Sequence, residues 1–189
     1  MLNSAFSSDG PNIERLRVPL INAGIRLEPN SLINALTHKE NTIAIRAALL
    51  LGVEHKTQAT VKALSEAAKS EREILALASM QSLLSLHETN WISLGVSRLP
   101  KMKDRLQQIQ LAGVLARANN VEGWKITVNG LMDPQYTTLA LENLNAFDGK
   151  RQRDGKVIRV LDELQKVLEA APESARPEIK REIERRTKR

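Results

Sequence analysis

Few residues in this chain have side chains that could do chemistry. The only histidines are His38, His55 and His87. The first two fall in stretches that read as inter-helix turns, and the third at a helix end. Equivalent turns of a repeating chain line up on one edge, so three such imidazoles could hold a zinc ion. No His-x-x-x-His or His-Glu-x-x-His spacing accompanies them, and that spacing is what places two ligands on one helical face. They read as solvated turn residues. Glu71 and Glu73 precede an apolar run and read as first-turn carboxylates favoured by the helix dipole. Asp162 and Glu163 read as the exposed side of an amphipathic helix. Neither pair has the buried setting that acid–base catalysis needs. There is no Cys, which excludes a thiolate nucleophile, a disulfide and a Cys-based zinc site. No catalytic residue, metal ligand or cofactor is assigned, and the expectation is that the chain is not an enzyme.

Cations offer more. Lys150, Arg151, Arg153 and Lys156 lie in one Gly-bracketed loop, DGKRQRDGK, with Asp154 among them. Lys101, Lys103 and Arg105 hold a comparable place earlier in the chain. If repeated turns share a rim, Lys101, Lys103, Arg105, Lys150, Arg151 and Arg153 would form one basic edge. Such an edge attracts phosphates by counterion release, weakly and without sequence preference. The net charge is +6. Residues 1–90 carry nine basic and nine acidic side chains, so the excess belongs to the second half. Aromatics are 3% of the chain, too few for a base-stacking platform. Trp91 and Trp124 head successive units of the repeat described next, and read as packing between helical hairpins.

The elements that would position these residues repeat. Ala/Leu-rich blocks run over 43–52, 74–86, 106–118 and 136–147. A less regular apolar stretch and a polar turn precede each. The blocks start at Ile43, Ile74, Leu106 and Tyr136, a nearly constant interval. Two helices per unit at an interval of this size mark an α-solenoid. At 189 residues with 42% hydrophobic content, the length suits one domain with an aliphatic core. No run of about 18 apolar residues could cross a membrane.

The chain opens with MLNSAFSSDGPN, which lacks a basic segment and a long apolar segment and so does not read as a signal peptide. Residues 1–11 read as a disordered lead-in, or as the ragged start of a piece of something longer. A bent or broken helix is expected over 12–25, interrupted by Pro19. A short helix follows over 31–36. The stripe Ile43, Ala47, Leu51 predicts the next, with Gly52 as its C′ glycine. Helices over 57–68 and 71–86 come next, the second with Leu75, Ser79 and Leu83 on one stripe. Another runs over 91–99, disturbed by Pro100, and its partner over 105–118 turns Ile109, Ala112, Gly113 and Ala116 inward. Asn119-Asn120 and Glu122-Gly123 read as a turn before a helix over 124–132. Asp133-Pro134 reads as an N-cap with proline at N1, opening a helix striped by Tyr136, Ala140 and Leu144. An amphipathic helix over 157–171 and a charged one from Glu178, with Ile179 and Ile183 inward, complete the chain.

Ile43, Ala47, Leu51 and Gly52, with the turn Leu131-Met132-Asp133-Pro134, resemble the HEAT-repeat family over residues 28–171. The departures are Ala44 where that family usually has Arg, and Ser79 or Gly113 where it has Ala. The resemblance implies an all-α, right-handed solenoid of about 4–5 hairpins: a repeat domain over 12–171, then a charged capping helix and basic tail over 172–189. Leu139-Ala140-Leu141-Glu142-Asn143-Leu144-Asn145-Ala146-Phe147-Asp148-Gly149 is also similar to the helical tails of some bacterial sulfatases, whose catalytic domain is not in this sequence.

The function expected is a protein-binding scaffold, its contact surface a concave face lined by the second helices. Two alternatives stand beside it. One is an accessory segment of a sulfatase-type hydrolase. The other is a nucleic-acid-binding protein of the DNA alkylation-repeat type. The partner expected is a protein of unstated identity, with weak non-specific nucleic-acid binding and no membrane. The location follows as cytoplasmic by default, or exported if the sulfatase likeness holds.

Overall fold

A computed structural model describes residues 12–145 and 159–188. These form eleven α-helices and no strand, as apolar spacing at every third and fourth position dictates. The expected lead-in over 1–11, the basic loop over 148–156 and Val157 lie outside the described residues.

The helices fall into two compact units that divide between Arg98 and Leu99. The first holds α1 (Ile13–Asn22), α2 (Pro29–Ala35), α3 (Asn41–Glu54), α4 (Gln58–Ala67), α5 (Glu73–Ser85) and α6 (Ile92–Arg98). The second opens with a 3-10 turn (Leu99–Lys101). It continues with α7 (Arg105–Arg117), α8 (Val121–Gly130), α9 (Thr137–Asn145), α10 (Val160–Ala170) and α11 (Arg176–Thr187).

Two kinds of helix alternate. In α3, Ile43, Ala44, Ile45 and every residue from Ala47 to Gly52 are buried. In α5 the same holds for Leu75 to Met80, and in α7 for Ile109 to Ala116. Burial this unbroken covers every side of a helix with 3.6 residues per turn, so these helices are apolar all round because they are enclosed all round. Their first residues, Asn41, Glu73, Arg105 and, for α9, Thr137, are evenly spaced along the chain. By contrast α4, α6 and α8, taken with the residues that flank them, carry one buried stripe each: Thr60, Leu64 and Ala68; Trp91, Gly95 and Leu99; Gly123, Thr127 and Leu131. The recurrence extends to α2 and α10. Leu32, Leu64, Gly95, Thr127 and Val160 are equivalent buried positions one repeat apart, as are Leu36, Ala68, Leu99, Leu131 and Leu164.

A polar lock joins helices one repeat apart within each unit. The Ser82 hydroxyl of α5 donates to the Ala48 carbonyl of α3 at 2.8 Å. The Asn143 amide of α9 donates to the Ile109 carbonyl of α7 at 3.2 Å. In both, the accepting carbonyl lies one helical turn before a glycine, Gly52 or Gly113, and the donor lies about one repeat after it. A Cβ on Gly52 would come within 2.5 Å of the Ser82 Cβ, and one on Gly113 within 2.3 Å of the Asn143 amide. The glycine opens the groove that the polar side chain fills.

Several local expectations are corrected. Gly52 is not a C′ residue; α3 continues to Glu54 because the glycine serves packing and not chain reversal. Glu122 and Gly123 belong to α8, capped by Asn120, whose side chain accepts the Gly123 N–H at 3.1 Å. Gly123 lets α8 lie against the backbone of α7 at Ala112 and Ala116. Pro19 sits inside an uninterrupted α1. The partner it denies is the Arg15 carbonyl, on an exposed residue, where water can substitute. Asp133 builds a turn through the Gln135 N–H at 3.1 Å, so α9 starts after Tyr136. At the other end Arg176, not Glu178, opens α11, with Pro177 in its first turn. Ile179 is buried and Ile183 packs against the same core, as its spacing predicts.

Candidate functional site

Each histidine has a local structural use. The His38 Nδ1 accepts the Glu40 N–H at 3.1 Å. The His55 Nε2 lies 3.1 Å from the Leu27 carbonyl. A carbonyl only accepts, so Nε2 carries the proton and the ring ties the α1–α2 connection to the end of α3. His87 has φ +63° just past α5, and Asn119 has φ +61° in the same place past α7, one repeat on. Both close the helix end with a hydrogen bond from the next residue, Glu88 N–H to Leu83 at 2.9 Å and Asn120 N–H to Leu115 at 3.0 Å. That is the left-handed C′ position of a Schellman motif. Among the described residues no three His, Asp or Glu side chains gather as a metal site.

Three of the four carboxylates are placed as helix-start charges, while Glu71 lies before the N-cap Arg72 and outside the first turn of α5. Glu73 lies in the first turn of α5, and Asp162 and Glu163 lie in that of α10, facing the positive end of the dipole. Glu163 also accepts from Lys166 at 2.9 Å. The tryptophans serve packing. Trp91 is buried, with its indole N–H on the Glu88 carbonyl at 2.8 Å. Trp124 packs on the core of the second unit with Leu131, Ala140 and Leu144.

Of the expected basic rim, Lys101 and Lys103 are exposed on one turn. Asp104 beside them is spent capping α7, its carboxylate accepting the Leu106 and Gln107 N–H groups at 2.8 and 3.2 Å. Arg105 is half-buried and donates to the Gln108 side chain. Gln108 in turn donates to the Leu99 carbonyl at 2.9 Å, so Arg105 helps hold the turn. Lys150, Arg151 and Arg153 lie outside the described residues.

Arginines carry a role that composition does not reveal. The Arg98 guanidinium donates to the Lys69 and Ser70 carbonyls just beyond α4, at 2.8 and 2.7 Å. Arg72 reaches back to the Asn41 side chain and to the His38 carbonyl beyond α2, the latter at 3.0 Å. Arg176 donates to the Ala171 carbonyl beyond α10 at 2.8 Å. Cations at helix C-termini satisfy orphan carbonyls and complement the dipole. Arg17 of α1 pairs with Glu54 of α3. Burial lowers the pKa of Arg117, whose Nε donates to the Gly113 carbonyl at 3.3 Å. The bonds of Arg72 and Arg98 each reach back about one repeat along the chain. An arginine one repeat downstream of a helix end is the signal that would have found them.

Comparison with protein-family models, curated proteins and solved structures finds no match. What the residues build is a helical framework in which several polar side chains hold helices together. Of the second helices expected to form a contact surface, α3, α5 and α7 have buried central residues, while Thr138 and Glu142 of α9 are exposed. The one-sided helices also offer accessible faces. Lys62, Ser93 and Lys125 are equivalent non-buried positions on α4, α6 and α8, one repeat apart, and Glu66, Ser97 and Asn129 form a second set.

Proposed function

We propose that this chain is a HEAT-like helical-repeat protein, a right-handed α-solenoid in architecture, that binds another protein and catalyses no reaction itself. The observation that carries this reading is the recurrence of equivalent buried positions through α2, α4, α6, α8 and α10. A chain built from one repeated hairpin presents one repeated surface, and proteins of that kind work as extended binding faces. The outer sides of α4 and α6 in the first unit are the contact surface in this reading, with Ser93 and Ser97 of α6 as a small, uncharged patch on it.

The test is co-purification and cross-linking of the full chain from its native cells, compared with a Ser93→Arg/Ser97→Arg variant and a Lys62→Glu/Glu66→Lys variant. The expected result is a partner captured by the parent chain and lost from at least one variant, with helicity unchanged. Turnover of a small-molecule substrate that disappears with one carboxylate or histidine substitution would overturn the proposal.

A further inference from the structure

The last helix, α11, has two distinct sides. Ile179 and Ile183 turn into the core of the second unit. Pro177, Lys180, Arg181, Glu184, Arg185 and Lys188 are exposed, and at 3.6 residues per turn they share an arc of about 140°. Four of these six are cations. The carboxylates elsewhere on the helix are drawn off this arc. Glu178 accepts from Thr138 of α9 at 2.8 Å. Glu182 accepts from Arg185 at 2.6 Å and from Arg186 at 2.7 Å. Glu184 is the one negative charge left on the arc. Among the described residues Lys180, Arg181 and Lys188 have no ion-pair partner.

We propose that this outward face of α11 binds the phosphate backbone of nucleic acid, non-specifically. From Lys180 to Lys188 the helix rises about 12 Å. A duplex strand presents a phosphate about every 3.4 Å of its axis, so the face spans three to four phosphates. Arginine and lysine head groups are the donors that phosphate oxygens take best. An anionic membrane is the competing polyanion. Membrane-surface helices add apolar side chains beside the cations, and here both isoleucines of α11 are committed to the core. This inference is independent of the protein-binding reading, since it concerns a different helix and a different partner.

The experiment is fluorescence anisotropy of a labelled 20-base-pair duplex titrated with the full chain at 50 to 200 mM salt. With three to four phosphates engaged, the log–log slope is expected at about −2.7 to −3.6, an affinity loss of about 40- to 150-fold across that range. A Lys180→Gln/Arg181→Gln/Lys188→Gln variant removes three exposed cations. It should flatten the slope by up to about 2.7, whereas Lys101→Gln/Lys103→Gln should leave most of it. A readout on the unmodified chain is acetylation of lysines with and without duplex, with Lys180 and Lys188 expected to be protected and Lys62 not. Three results would each overturn the proposal: an unchanged slope in the triple variant, protection at Lys101 and Lys103 in place of Lys180 and Lys188, or binding to anionic vesicles without binding to duplex.

Discussion

At the scale of single residues, the glycines show how little tolerance the enclosed helices have. Gly52 faces Ser82 so closely that an added Cβ would sit 2.7 Å from the Ser82 Cα as well as 2.5 Å from its Cβ. Gly123 would place a Cβ 2.7 Å from the Ala112 carbonyl oxygen and the Ala116 nitrogen. Backbone atoms cannot rotate away, so the helices must separate. Overpacking of this kind costs about 1–3 kcal/mol, against about 1 kcal/mol gained in helix propensity. Gly52→Ala and Gly123→Ala are therefore each expected to lower stability, by up to about 2 kcal/mol, in urea denaturation. Equal or higher stability would mean that these helices are further apart than described. The opposite sign is expected at His87, whose φ of +63° is a conformation that glycine adopts freely. A left-handed backbone costs a side-chain-bearing residue about 1–2 kcal/mol, part of which glycine returns through its greater unfolded-state entropy. His87→Gly should raise stability by up to about 1 kcal/mol, and a loss would mean that the imidazole itself holds something.

At the scale of elements, α11 depends on its charges because it buries little besides Ile179. Partial burial pushes the Glu182 carboxyl up, but hydrogen bonds from Arg185 and Arg186 outweigh it, and the net pKa lies below the ordinary value. A carboxyl depressed in the folded state gives stability that is complete above its unfolded pKa, about 4.3, and lost as pH falls through the lower folded one. Amide exchange in α11 should therefore quicken as pH drops below about 4, after correction for intrinsic rates. In Glu182→Gln exchange should be faster already at neutral pH and lose that acid step; an unaltered acid step would place the titrating group elsewhere. The existence of the helices was legible from spacing alone, because apolar residues at every third and fourth position admit little else. Their ends were less so. Gly52 and Gly123 look like chain-reversal glycines to any local rule, and only the neighbour one repeat away or across the hairpin shows that they are contact glycines. Asp133-Pro134 looks like the start of a helix, yet its side chain closes a turn first. The arginine caps and the Ser82 and Asn143 locks were missed because they depend on which helix ends meet, which a single helix's pattern does not encode.

At the scale of the whole molecule, the alternation of enclosed and one-sided helices sets an order of local stability. An amide exchanges by local opening where few buried contacts hold its segment, and by global unfolding where opening would expose the core. In α3, α5 and α7 the central residues are buried on every side, so no opening of one helix can free them alone. In α4 and α8 only one stripe is buried, and α1 buries Leu16 and Leu20 while exposing Val18 and Ile21. Native-state hydrogen exchange should accordingly rank α3, α5 and α7 as the most protected segments, with free energies near the global value. The helices α4 and α8 should fall below them, and α1 and α11 lowest. Repeat chains stabilised by neighbour contacts also lose two-state behaviour as their length grows. With two compact units in the chain, the slow-exchanging amides should divide into two sets that respond separately to added urea, α3 and α5 together and α7 apart from them. A single set spanning all three helices would mean that the units unfold as one, and slower exchange in α4 than in α5 would overturn the layered description itself.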